Sequence, residues 1–135
     1  MNFSLIFKKF YPHPIEKVWA VVTNASALSQ WLMPTESELK LGQKFFLWED
    51  FSSREIGRVE CELIEMAAPH RMVWSWKSQG QEKPSHLVFE LESTEGGSNL
   101  TLKHASESGG VPSELGENKW PGKLTNLDSW LDTSF

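Results

Sequence analysis

GRVECELIEMAAPHRMVWSW, residues 57–76, is the stretch on which the fold turns. Val59, Cys61 and Leu63 alternate with Arg58, Glu60 and Glu62, and a strand sends successive side chains to opposite faces, so one face is apolar and the other charged. Ala67-Ala68-Pro69-His70 reads as a turn, after which Met72, Trp74 and Trp76 alternate with Val73, Ser75 and Lys77. Two runs of period two on either side of a tight turn predict an antiparallel pair with one buried face.

The same period continues in both directions. Downstream, Leu87, Phe89 and Leu91 alternate with Val88 and Glu90, and a Glu95-Gly96-Gly97-Ser98 turn leads to Leu100, Leu102 and His104. Upstream, Phe45, Leu47, Glu49 and Phe51 alternate with Phe46, Trp48 and Asp50, so the strand character runs from Glu36 to His104. Residues 3–11 (FSLIFKKFY) form a further β-rich run, stopped by Pro12 and Pro14. In PIEKVWAVVTN, Pro14 suits a first helical position and Ile15, Val18, Trp19 and Val22 fall at i, i+3, i+4 and i+7, which predicts an amphipathic helix. Asn24 to Ser26 interrupt it, and SALSQWL predicts a second short helix ending before Pro34.

Residues 105–118 (ASESGGVPSELGEN) are polar and glycine-rich, which predicts a loop or lid. In KWPGKLTNLDSWLDTSF, Trp120, Leu124, Leu127 and Leu131 form a helical stripe. Its regular part is expected from near Lys119, with Pro121 in the first turn; a longer helix from near Ser113, kinked at Pro121, also fits the pattern. The order predicts an α+β chain: a curved antiparallel sheet of about six or seven strands around a long C-terminal helix, with two short helices after the first strand.

The chain has 135 residues, the size of one domain, and residues 1–135 are expected to form a single one. A single cysteine, Cys61, excludes an internal disulfide and a cysteine-rich zinc site; it is expected to be a small buried residue and not a nucleophile. The net charge of −5 without a lysine- or arginine-rich run argues against nucleic acid as a partner. No apolar stretch reaches the roughly 20 residues of a membrane span, and a soluble, cytoplasmic protein is expected. Seven Trp and eight Phe against one Tyr imply a very aromatic core or a cavity lined with rings.

Four segments carry a resemblance: HPIEKVWAVVTNASALSQWLMP, CELIEMAAPHRMVWSW, SNLTLKH and KWPGKLTNLDSWL. In that order they resemble the opening helix pair, a strand–turn–strand, the last strand and the final helix of proteins similar to activators of the heat-shock-protein ATPase, within the START-like or SRPBCC superfamily. The resemblance implies a helix-grip fold with an internal cavity between sheet and C-terminal helix. It does not imply one activity: related members bind lipids, hormones or polyketides, a few catalyse cyclisations, and the founding members bind a chaperone.

In such a fold Trp31, Trp74, Trp76 and Trp120 can converge on one cavity with Phe45, Leu47 and Leu102, which suits an apolar or aromatic small ligand; plain core packing is the other use of the same rings. Glu49 and His104 share the inward parity and could orient a ligand. No catalytic residue, metal site or cofactor is expected, since the four histidines lack ligand spacing and no phosphate loop or nucleophile motif is present. The first reading is a ligand-binding domain. The second is a co-chaperone or stress-response protein whose partner, a chaperone or a second copy of the chain, meets the outward Phe46 and Trp48. The third is a cyclase- or hydrolase-type enzyme using His104 with Glu49.

Overall fold

In the computed structural model the described residues are 3–32, 35, 39–48, 58–78, 85–105 and 120–134. The decisive stretch forms β3 (Arg58–Ala67) and β4 (Arg71–Ser78), preceded by β1 (Phe3–Tyr11), α1 (Ile15–Thr23), α2 (Ala25–Trp31) and β2 (Lys44–Trp48), and followed by β5 (Ser85–Thr94), β6 (Gly97–Ala105) and α3 (Trp120–Ser134). All six strands join one antiparallel sheet in the order β1-β6-β5-β4-β3-β2. Strands β2 to β6 follow one another across the sheet as a meander of antiparallel neighbours. The two short helices lie in the segment that carries the chain from the β1 edge to the β2 edge.

Local chemistry accounts for the helix boundaries. Pro14 stands just before α1, one position earlier than expected, and Glu16 lies in the first turn, where the helix dipole favours a negative charge. Asn24 Oδ1 accepts a hydrogen bond from the Ala27 N–H at 3.0 Å and so caps α2, which starts at Ala25. Pro121 sits in the first turn of α3, where its missing N–H costs nothing.

The sheet sends its apolar parity inward. Phe45, Leu47, Val59, Cys61, Leu63, Met72, Leu87, Phe89, Leu100 and Leu102 are buried in one continuous core with Val18, Val21 and Val22 of α1, Leu28 of α2, and Leu124, Leu127 and Leu131 of α3. The register of β3 against β4 shifts between Leu63 and Glu65, a bulge that inserts Ile64 and leaves it exposed. At the other end of the sheet, β6 passes so close to β1 that a Cβ on Gly97 would collide with the Tyr11 carbonyl oxygen and lie 2.9 Å from Pro12 Cα. Only glycine fits that approach. Among the described residues, no helix is long and apolar enough to cross a membrane.

Candidate functional site

Cross-strand register places the aromatic rings. Phe45 on β2, Cys61 on β3, Trp76 on β4 and Ser85 on β5 are successive partners across the sheet, and Leu63, Trp74, Leu87 and His104 form the next inward row. Trp31, Phe45, Leu47, Trp74, Trp76, Leu102 and His104 are all buried, so the structure brings seven of the nine expected residues into the interior. Glu49 lies outside the described residues. Trp120 opens α3, but its side chain, like that of Trp48, lies outside them too.

The buried rings differ in their surroundings. Trp74 is wedged between Phe45, edge-on with centroids 5.0 Å apart, and Phe89, tilted with centroids 4.8 Å apart. Such ring pairs add to burial energy and leave Trp74 as the middle of an aromatic stack. Trp76 meets the His104 ring edge-on at 5.4 Å. Trp31 comes from the last turn of α2, which packs on α3, so it contributes a ring from the helical layer.

The polar group of this interior was only half visible in the sequence. His104 Nε2 lies 2.9 Å from Ser85 Oγ, and Ser85 donates its proton to the Trp76 carbonyl oxygen at 3.1 Å. A serine hydroxyl has one proton, so Nε2 carries the hydrogen and Nδ1 is the acceptor nitrogen of the ring. Burial, reinforced by the nearby His86, pushes the His104 pKa down to about 4, which keeps the imidazole neutral around pH 7. Ser85 itself was not among the expected residues. Counting back by two from Leu87 would have placed it inward, but a serine two residues before an apolar strand has no distinguishing chemistry.

A further buried polar atom is the Trp31 indole nitrogen, which has no hydrogen-bond acceptor among the described residues. At the far end of the core, Tyr11 Oη donates to the Leu124 carbonyl oxygen at 3.0 Å and ties β1 to α3. Burial and the neighbouring Asp128 raise the pKa of that phenol, so it stays protonated and a donor. His13, in the turn after β1, links α1 and α3, with Nε2 at 2.8 Å from Asp132 Oδ1 and Nδ1 at 3.2 Å from Lys17 Nζ. The C-terminal helix is thus held to the sheet side at two separate points.

The outer face of the sheet is different in kind. Arg71 bridges Glu65 and Glu90, and Lys103 Nζ lies 2.8 Å from Glu90. The Lys103 hydrogen bond, with Arg71 adding to it, holds the Glu90 carboxyl below its usual range. An open concavity of about 340 Å³ lies on this side, with Lys44, Glu60, Glu62, Ser75, Lys77 and His86 on its walls. Phe46 is half-buried here, and Ile6, Phe10 and Ile64 are exposed. Among the described residues, no cluster of three or more His, Cys, Asp or Glu could hold a metal ion.

Comparison with known proteins places this geometry. The family model of Activator of Hsp90 ATPase homolog 1-like proteins matches residues 12–132. Among solved structures, protein MLL2253 from Mesorhizobium loti is 20% identical with a TM-score of 0.77, over 97% of this chain and 98% of that one. CalU16 from Micromonospora echinospora is 22% identical with a TM-score of 0.74, over 95% and 75%. Protein NE0264 from Nitrosomonas europaea is 19% identical with a TM-score of 0.73, over 97% and 95%. At these identities the structures share the fold. Comparison with curated proteins returns no match.

Proposed function

The chain belongs to the family of Activator of Hsp90 ATPase homolog 1-like proteins, and from that premise we propose that it binds an apolar or aromatic small molecule between the sheet and the C-terminal helix. The observation that carries the reading is that fully buried tryptophans from separate elements, Trp31 of α2 with Trp74 and Trp76 of β4, belong to one core, with the neutral His104–Ser85 pair beside Trp76. Aromatic walls with few, placed polar groups suit such a ligand. Trp31, Trp76 and His104 are the proposed contacts, with Phe45, Leu47, Trp74 and Leu102 as the wall behind them; Trp120 and Glu49 complete the proposed site from the sequence. A pKa near 4 makes His104 a weak proton acceptor at neutral pH, which favours an orienting role over acid–base chemistry.

Native mass spectrometry of the purified protein, repeated after denaturation, tests this reading. The expected result is a small molecule released on unfolding, or tryptophan quenching on titration with a naphthalene probe. Failure of both would overturn it.

A second reading, a chaperone partner, draws on the family's name and on the exposed Ile6, Phe10 and Ile64 of the outer sheet face. It requires that a purified Hsp90-type ATPase bind the chain and release it on Ile64→Ser; no binding, or binding unchanged by that substitution, removes it.

A further inference from the structure

Among the described residues, the hydrogen-bond donors of this interior are paired, the Trp31 indole excepted; His86 Nδ1, also without a hydrogen-bond partner, belongs to the outer face. The Tyr11 hydroxyl is given to the Leu124 carbonyl, Thr35 Oγ1 to the Phe46 carbonyl at 2.7 Å, and Ser98 Oγ to the His13 carbonyl at 2.7 Å. Ser85 gives its proton to the Trp76 carbonyl, His104 gives its Nε2 proton to Ser85, and the Trp74 indole N–H points at the Met72 sulfur at 3.4 Å. The Trp31 indole, fully buried, has no acceptor among the described residues. A buried donor left unsatisfied costs more than a hydrogen bond gains, and native interiors pair nearly all of them.

Nor is an ionised side chain buried there among the described residues, whose buried polar side chains are Thr35, Ser85, Ser98 and His104. A carboxylate brought into these surroundings would lose its water and find no opposite charge among the described residues.

We propose that the ligand is an uncharged molecule with an apolar body and one hydrogen-bond acceptor of the carbonyl type, and that Trp31 Nε1 donates to that acceptor. This rests on the binding reading above and specifies its polar contact. The donor comes from the helical layer, at the end of α2 that packs on α3, while the sheet supplies the His104–Ser85 pair. The ligand's acceptor therefore lies toward the helices and its apolar body toward Trp76.

Three probes of nearly one shape test the assignment: 2-acetylnaphthalene, its alkene isostere 2-isopropenylnaphthalene, and 2-naphthoate. In the wild-type protein the ketone is expected to bind about tenfold more tightly than the alkene, the return from satisfying one buried donor, and naphthoate more weakly than the ketone. The Trp31 indole proton resonance should move downfield with the ketone and not with the alkene. Trp31→Phe should reduce the ketone-to-alkene ratio to about one, because it removes the N–H and retains an aromatic ring. Should that variant fail to fold, the wild-type indole resonance, assigned by through-space contacts, still decides. Equal binding of ketone and alkene, an unmoved indole resonance, or a ratio that survives in a folded Trp31→Phe would overturn the donor assignment. Tighter binding of naphthoate would overturn the uncharged ligand. Absence of binding by ketone and alkene alike would instead count against the cavity reading beneath it.

Discussion

On the inner face of β3 and β4, Cys61 stands beside Trp76 and Leu63 beside Trp74; on the outer face of the same two strands, Glu60 stands beside Lys77 and Glu62 beside Ser75. The backbone ladder is shared, so the difference between the faces lies in what each side chain loses on leaving water. Inside, Trp74 and Trp76 are fully buried, and a polar group there must find its partner within the protein. Outside, the Arg71–Glu65–Glu90–Lys103 network is partly solvated, and exposed ion pairs of that kind contribute little because water and salt screen them. Stability and the proposed site therefore belong to the same face. The outer face can vary in charge and still leave the fold intact.

The widest gap between the faces should appear on truncation. Trp74→Ala removes the middle of the Phe45–Trp74–Phe89 stack and is expected to cost about 3–5 kcal/mol in urea unfolding. Ile64→Ala, at the exposed bulge, should stay within about 0.5 kcal/mol. Similar losses at both positions would break the distinction.

Next in size is a pH effect confined to the inner face. The His104 pKa is lowered from 6.5 to about 4 in the folded chain, so the unfolded state takes up a proton first as the pH falls. That contribution to stability is fully present above about pH 6.5 and is lost progressively down to about pH 4, by an amount on the order of 3 kcal/mol. His104→Gln should flatten this part of the stability–pH curve relative to the wild type; an unchanged slope would show that the imidazole is not held neutral.

A small effect is also expected for the charges outside. Lys103→Ala breaks the ion pair to a carboxylate that is only partly buried, and should lower stability by under about 1 kcal/mol, with the difference shrinking further in added salt. A loss as large as that at Trp74 would place this network among the determinants of the fold.

Much of this was legible one residue at a time. The inward positions Phe45, Leu47, Trp74, Trp76, Leu102 and His104 follow from counting by two along their strands, and α3 follows from Leu124, Leu127 and Leu131. Trp31 was visible as an aromatic at the end of a short helix, but its unanswered N–H was not. Ser85 and Tyr11 escaped notice because neither stands in a motif; their roles arise from partners 19 and 113 residues away. On α1 the apolar stripe was right in phase yet slightly misplaced, since Val21 is buried where Trp19 is only partly so.

The sequence by itself determined which side chains share a face, which segments form the helices, and that one interior would be unusually rich in rings. Those properties depend on periods of two and 3.6 and on local caps, all set by neighbours along the chain. Only the tertiary structure decided that His104 meets Ser85 beneath Trp76, that Tyr11 reaches a carbonyl of the last helix, and that the Trp31 N–H is left over. Such meetings depend on register across strands and on how the helices settle on the sheet, and no local period carries that information.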